Sequence, residues 1–295
     1  MHKGTMAIQI AVTSGKGGTG KTTVSTSLAL SLAVEHDVAF LDCDVEAPNA
    51  HIFLQPTFNH HQDAVIRIPE VDADVCTLCG KCVEVCQFHA LAKIGTSILT
   101  FPQLCHGCGS CTWNCPVGAI TEVPNPIGVL ECGAANSMAF SHGVLSISEP
   151  MATPIIRQLK KKALRPDTEI TILDSPPGAS CSVVETLRGM DFALLVTEPT
   201  PFGLHDLKQI TGILNDFNIP AGVVINRDGI GDNQTDDYLA EQGIPILMRI
   251  PFSVEIAAGL SAGTPLIEIA PAYRKEFLDV YTHIDECILA KKGGK

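Results

Sequence analysis

Short apolar runs alternate with helix-spaced stretches along most of the chain. Residues 7–13 form an apolar run that ends in a glycine-rich loop, and residues 21–34 read as the helix behind it. Further buried strands are expected at residues 38–41, 143–147, 170–173, 192–196, 222–225 and 244–248, with helices at 153–162 and 271–290. Strands this short, apolar throughout and separated by helices predict an α/β fold with a doubly wound, mainly parallel sheet. The pattern stops at residues 67–123, where a cysteine-rich block replaces it. The expected organisation is a discontinuous domain, residues 1–66 and 124–295, with residues 67–123 inserted into it. The two ends of such an insert must lie close together on the parent sheet.

Composition narrows the function classes. Hydrophobic residues fill 45% of the 295 positions, ample for a buried core, while aromatics reach only 5%. A formal net charge of −12 argues against a nucleic-acid groove, which needs a basic stripe. No apolar run approaches the ~20 residues that cross a membrane. The apolar residues 6–12 run straight into the glycine loop, so no signal peptide is expected, and residues 1–5 read as an extension ahead of the first strand. Twelve cysteines without a secretory signal point to metal ligation in a reducing compartment, with the cytoplasm as the expected location.

Eight of those cysteines form two runs, Cys76, Cys79, Cys82 and Cys86, then Cys105, Cys108, Cys111 and Cys115. Both have the spacing C-x2-C-x2-C-x3-C, at a constant offset of 29 residues. The offset also pairs Gly80 with Gly109 and Ala90-Leu91 with Ala119-Ile120. This duplicated unit resembles the two-cluster bacterial ferredoxins. The resemblance implies two [4Fe–4S] clusters, one held by Cys76, Cys79, Cys82 and Cys115, the other by Cys105, Cys108, Cys111 and Cys86. Structural zinc also takes four cysteines, but zinc ribbons place two C-x2-C pairs far apart. One departure is local: the ferredoxin run ends Cys-Pro, as at Cys115-Pro116, whereas Cys86 precedes Gln87.

Between the first strand and first helix lies Ser14-Gly15-Lys16-Gly17-Gly18-Thr19-Gly20-Lys21-Thr22-Thr23. Glycines let backbone N–H groups converge on phosphate oxygens, and the helix N-terminus adds positive dipole. Lys21 is placed to reach the β- and γ-phosphates and the Thr22 hydroxyl to ligate Mg2+. The extra lysine, Lys16, makes the loop resemble that of the MinD/ParA/nitrogenase iron protein superfamily. There the signature lysine reaches across a dimer interface to the partner's nucleotide, which implies an ATP-dependent homodimer.

Three further segments match that superfamily in order. Asp42-Cys43-Asp44 with Pro48-Asn49 resembles switch I, which implies that Asp44 orients the attacking water. Asp174-Ser175-Pro176-Pro177-Gly178 resembles switch II, with Asp174 near Mg2+ and the Gly178 backbone sensing the γ-phosphate. Asn226-Arg227 follows a strand, and the resemblance puts the asparagine on the adenine edge together with backbone near Pro251-Phe252. Gly229 stands where a guanine-reading aspartate is needed, so ATP is expected over GTP. Lys16, Lys21, Asp44 and Asp174 are thus the candidate catalytic residues.

The expectation is an ATP-hydrolysing dimeric switch coupled to electron transfer through two clusters, acting on a redox or regulatory protein partner. The alternative is a MinD/Mrp-like regulatory or iron–sulfur carrier ATPase whose ferredoxin block senses redox state or docks a partner. A carrier of the Mrp type would show a C-terminal C-x2-C, and only Cys287 is present. A MinD-like positioning ATPase needs an amphipathic basic tail helix. Lys291, Lys292 and Lys295 lack the broad apolar stripe for that. Cys43 and Cys287 read as core. Cys181 reads as a small buried thiol, although the nitrogenase iron protein has a cluster ligand at the same interval after switch II. His106 reads as solvated or packed.

Overall fold

The structure, a computed structural model, describes residues 7–165 and 167–293. The extension at residues 1–5 and the side chains of Lys292 and Lys295 lie outside the described residues. The chain opens with β1 (Ile8–Thr13), α1 (Lys21–Leu32), β2 (Val38–Asp42) and α2 (Ala50–Leu54). A long β3 (Thr57–Val71) leads into the cysteine segment, with α3 (Lys81–Val85), β4 (Leu91–Ile94), β5 (Ser97–Thr100) and α4 (Ser110–Trp113). The equally long β6 (Ile120–Ala135) returns, followed by β7 (Met138–Leu145), α5 (Thr153–Ala163), β8 (Ile170–Asp174) and α6 (Cys181–Leu187). Then come β9 (Phe192–Thr197), α7 (Pro201–Phe217), β10 (Ala221–Asp228), α8 (Gln234–Gln242) and β11 (Ile246–Pro251). Three helices close the described chain: α9 (Val254–Ser261), α10 (Leu266–Ile269) and α11 (Tyr273–Gly293).

Among the described residues the main sheet has nine strands in the order β11-β10-β9-β1-β8-β2-β7-β6-β3. Pairing is parallel from β11 through β7 and antiparallel between β7, β6 and β3. Alternation along each strand feeds two cores. Ile8, Ile10 and Val12 of β1 face one layer with Leu28 of α1 and Phe277 and Ile284 of α11. Ala11 faces the other with Ile155 of α5, Val183 of α6 and Ile210 of α7. Each fully buried side chain of this size contributes about 1.5–3 kcal/mol. Because both faces are covered, the parallel strands are apolar at most positions, with polar exceptions such as Gln9 of β1, Thr171 of β8 and Ser141 of β7.

Strand edges differ from the sequence expectation most clearly in three strands, the one expected at 222–225 running on to Asp228 as β10. The strand expected at 143–147 runs earlier, as β7, because it pairs with β6 along its whole length and a turn starts at Ser146. The strand expected at 244–248 starts two residues later, after Pro245, and extends to Pro251.

β3 and β6 carry the cysteine segment on a two-stranded ribbon that is continuous with the sheet, pairing from Thr57↔Ala134 out to Val71↔Ile120. Arg67 pairs with Pro124 within that ladder. The register slips where Ala64 faces Gly128 but Val65 faces Pro126, leaving Ile127 as the extra residue. Proline has no N–H to give there. Gln158 of α5 compensates: its Oε1 accepts from Val65 N at 3.2 Å and its Nε2 donates to Val65 O at 3.0 Å. Ile127 O in turn accepts from Ser146 N, and Leu145 N donates to Val45 O beside Asp44. A bulge braced in this way fixes where the ribbon leaves the sheet.

Candidate nucleotide and cysteine sites

Residues 14–20 leave the C-terminal end of β1, between β8 and β9 near the middle of the sheet, where ligands of open α/β sheets bind. Gly20 is left-handed at φ 90, and a Cβ on it would lie 2.2 Å from Asn226 Nδ2. Gly15 is needed for packing: a Cβ there would meet the Asp206 backbone at 2.4 Å. The loop rims a cavity of about 390 Å³ lined by Lys16, Gly17, Gly18, Thr19, Gly20, Lys21, Thr22, Thr23, Asp44, Asn226, Arg227 and Pro251. Phe53 and the α9 residues Ile256, Ala257 and Leu260 add an apolar wall, with Asn49 at its side. Gly15, Asp174 and Gly178 lie outside that lining.

Asp174 is fully buried at the end of β8 and acts as the hub. Its Oδ1 accepts from Lys21 Nζ at 2.7 Å and its Oδ2 from the Thr22 hydroxyl at 2.7 Å. The carboxylate and hydroxyl that would share a Mg2+ ion are therefore already together at the loop. Gly178, left-handed at φ 93, donates its N–H to Ser14 O at 2.9 Å, so switch II is tied to the loop.

Sequence reasoning gave Asp42 no role. It is buried, with Oδ1 accepting from Asp44 N and Oδ2 from Asn49 N and Ala50 N. Those bonds cap α2 and fold the switch I loop over the strand end. Burial first, and then the Asp174 carboxylate, pushes the Asp42 carboxyl up to about 7, opposed by Lys21 and the backbone donors. Asp44 is pushed up to about 6, mainly by burial. The readable signal was an aspartate ending a strand a few residues before a helix start.

Asn226 spends its amide on the loop, donating from Nδ2 to Thr19 O at 2.7 Å. Within the single chain Lys16 forms an ion pair with Glu198, which also accepts from Arg227 Nη1 at 3.0 Å.

In the cysteine segment the structure draws the two runs together crosswise. One cavity is lined by Cys76, Cys79, Cys82 and Cys115, a second by Cys86, Cys105, Cys108 and Cys111. The duplication is repeated in backbone detail. Gly80 and Gly109 are left-handed, at φ 79 and φ 72, and cap α3 and α4. Ala90 N and Ala119 N each donate to a cysteine Sγ four residues back, Cys86 and Cys115, at 3.3 Å. Gln87 does not alter that turn, since His89 adopts the positive φ of 52 that Gly118 adopts at 66. Burial raises the Cys82, Cys105 and Cys111 thiols, whereas bonds from Ser110 lower Cys108. His106 is exposed but not isolated, its ring stacked 3.7 Å from that of Phe88 at the second cavity.

Of the remaining cysteines, Cys43 is buried and Cys287 half-buried against the core. Cys181 corrects the expectation of a buried thiol: it is exposed at the first position of α6, where the helix start faces outward. Among the described residues no helix is long and apolar enough to cross a membrane.

Residues 10–266 match the family described as the CobQ/CobB/MinD/ParA nucleotide binding domain. The uncharacterized protein MJ0579 of Methanocaldococcus jannaschii is 34% identical over 240 residues, 76% of this chain and 81% of that protein. The iron-sulfur cluster carrier protein of Salmonella typhimurium is 25% identical over 301 residues, covering 96% of this chain and 66% of its own length. Among solved structures, the septum site-determining protein MinD of Pyrococcus horikoshii, complexed with Mg-ADP, gives a TM-score of 0.59 at 18% identity. That likeness covers 95% of this chain and 96% of that one, and it concerns the fold. With a glycine loop after a strand near the middle of the sheet, a buried aspartate paired to its lysine, and a family match over residues 10–266, this chain belongs to the CobQ/CobB/MinD/ParA nucleotide-binding family.

Proposed function

We propose that the chain is an ATP-hydrolysing switch that dimerises on ATP and gates one-electron transfer through two resident [4Fe–4S] clusters to a protein partner. The observation that carries this reading is the pair of cavities, each lined by four cysteines and joined by the ribbon to the sheet that holds the nucleotide loop. A single zinc ion, at ~2.3 Å from each sulfur, would gather its ligands tightly around one point. Among the described residues no group of three or more His, Cys, Asp or Glu side chains is arranged to hold a single ion. Each cavity collects four cysteines, the ligand number of one [4Fe–4S] cube. When bound, such clusters supply one-electron carriers whose potential is set by charge, hydrogen bonds and exposure.

At the nucleotide, Lys21 would leave Asp174 for the β- and γ-phosphates, and loop N–H groups would hold the remaining oxygens. Thr22 and Asp174 would hold a Mg2+ ion, which would supply positive charge against the same phosphates. Asp44 lines the cavity and would orient water toward the γ-phosphate, while the apolar wall of Pro251, Phe252 and Ile256 would take the base. Domain limits at 66/67 and 123/124 belong to this proposal, as does a cytoplasmic location.

Asp44→Asn is expected to retain Mg-ATP binding and slow hydrolysis by about a hundredfold or more, the range of a lost acid–base group. Because Asp44 sits at about 6 in the free protein, kcat/KM should fall as pH drops below about 6, where the carboxylate protonates. An acid limb that persists in Asp44→Asn would transfer the titration to Asp42.

The test of the whole reading is linkage. Midpoint potentials measured with and without Mg-ATP should differ by roughly 40–130 mV. That is a typical allosteric coupling of about 1–3 kcal/mol taken at 59 mV per tenfold. Reduction must then shift ATP affinity by the same free energy. Superimposable ATP titrations of oxidised and reduced protein would reject gating. The carrier relatives favour a second reading, in which clusters are delivered. In that case iron would leave the protein for an apo-ferredoxin during ATP turnover, whereas a resident redox centre keeps it.

A further inference from the structure

Lys16 is not a free surface lysine. Its ammonium pairs with Glu198 Oε1, and Glu198 Oε2 accepts from Arg227 Nη1 at 3.0 Å. Glu198 directly follows β9, the strand beside β1, and its side chain is only 6% exposed, against 31% for Lys16 and 47% for Arg227. The carboxylate cannot follow a moving lysine. Glu198 O accepts from Thr200 N at 2.8 Å, and a Cβ on Gly231 would overlap Pro199 O at 1.2 Å, so the segment is wedged in place. Arg227 is itself set at φ 53, a left-handed conformation rare outside glycine, which brings its side chain beside Glu198.

We propose that Glu198 is a positioning residue that holds Lys16 within its own chain until a second nucleotide-loaded copy docks, and that Arg227 keeps the carboxylate paired after Lys16 leaves. The proposal rests on the reading of Lys16 as a residue that reaches the partner copy's nucleotide. A bond that Lys16 makes at home must be given up before it can cross the interface, so it opposes dimerisation. Without Arg227, departure of Lys16 would strand a buried carboxylate, which is costly. An arginine suits the retained role, since its guanidinium is always charged and presents several donors in a fixed fork. The triad therefore makes Lys16 releasable while setting a threshold for release.

Glu198→Gln tests this, because it keeps shape and hydrogen-bonding capacity while removing the charge. In an Asp44→Ala background, light scattering across a protein titration at saturating Mg-ATP gives the dimerisation midpoint. Two holding contacts are released per dimer, so Glu198→Gln should lower the midpoint by about tenfold, on the strength of charge-assisted over neutral hydrogen bonds. A general packing defect would weaken the dimer, not tighten it. An unchanged or raised midpoint, with Lys16→Ala still blocking dimerisation, overturns the holding role and leaves the reading of Lys16 intact. Dimerisation of Lys16→Ala as tight as its parent's overturns both. Should Glu198→Gln not fold, Glu198→Asp, which retracts the carboxylate by one methylene, should shift the midpoint the same way by a smaller factor. A midpoint unchanged in that variant rejects the proposal equally.

Discussion

Lys21→Ala is expected to abolish Mg-ATP binding and to destabilise the nucleotide-free protein by roughly 3 kcal/mol. The first effect follows from charge: in the proposed reading, Lys21 Nζ is the loop cation that would reach the β- and γ-phosphates. The second follows from what the lysine does without nucleotide. It is 7% exposed and donates at 2.7 Å to an aspartate that is fully buried. Removing one partner of such a pair leaves the other charge stranded, a loss of about 3–5 kcal/mol. The Thr22 hydroxyl still serves Asp174, which places the loss at the lower end. Alanine also gains a few tenths of a kcal/mol in helix propensity at the start of α1. Adding Asp174→Asn to Lys21→Ala should recover much of the stability without recovering ATP binding. Calorimetric ATP titration and urea unfolding check both halves. Wild-type stability in Lys21→Ala would show that the pair contributes nothing in solution, and retained ATP binding would mean the loop is misassigned.

That pair also marks the limit of what the sequence discloses. Phosphate binding constrains local spacing, so residues 14–23 were readable on their own. The parallel strands were readable because burial on both faces leaves few polar positions inside them, Gln9 and Thr171 among the exceptions. β3 was not readable. Its first half carries His60, His61, Gln62 and Asp63, all exposed, and it is a strand only because β6 pairs with it after the cysteine segment. Contacts such as Lys16 with Glu198, Gly178 N with Ser14 O, and Gln158 with Val65 depend on which crossovers bring distant segments together. Asp42 was visible as an aspartate at a strand end, but its three backbone donors come from the fold of the following loop. Site residue types were legible, therefore, and their state in the free protein was not.

The crosswise lining of the two cysteine cavities predicts which substitutions act alike. Cys115→Ala and Cys79→Ala lie in different runs but one cavity, so both should lose the same cluster, leaving about 4 of about 8 iron atoms per chain. Cys86→Ala and Cys108→Ala should lose the other. The two centres are distinguishable in principle because their walls differ. His106 stacked on Phe88 lines one, while Thr77 and Val117 line the other. Different surroundings give different potentials and EPR signals. Anaerobic iron and sulfide analysis with EPR of the reduced variants therefore reads the assignment directly. If Cys115→Ala and Cys108→Ala lose the same signal instead, each run holds its own centre and the crosswise assignment is wrong. If all four variants keep full metal content as colourless zinc, the iron–sulfur reading fails. The crosswise arrangement also carries a mechanical consequence: each centre would tie one run to the other, so loss of either should loosen both halves of the segment at the end of the ribbon.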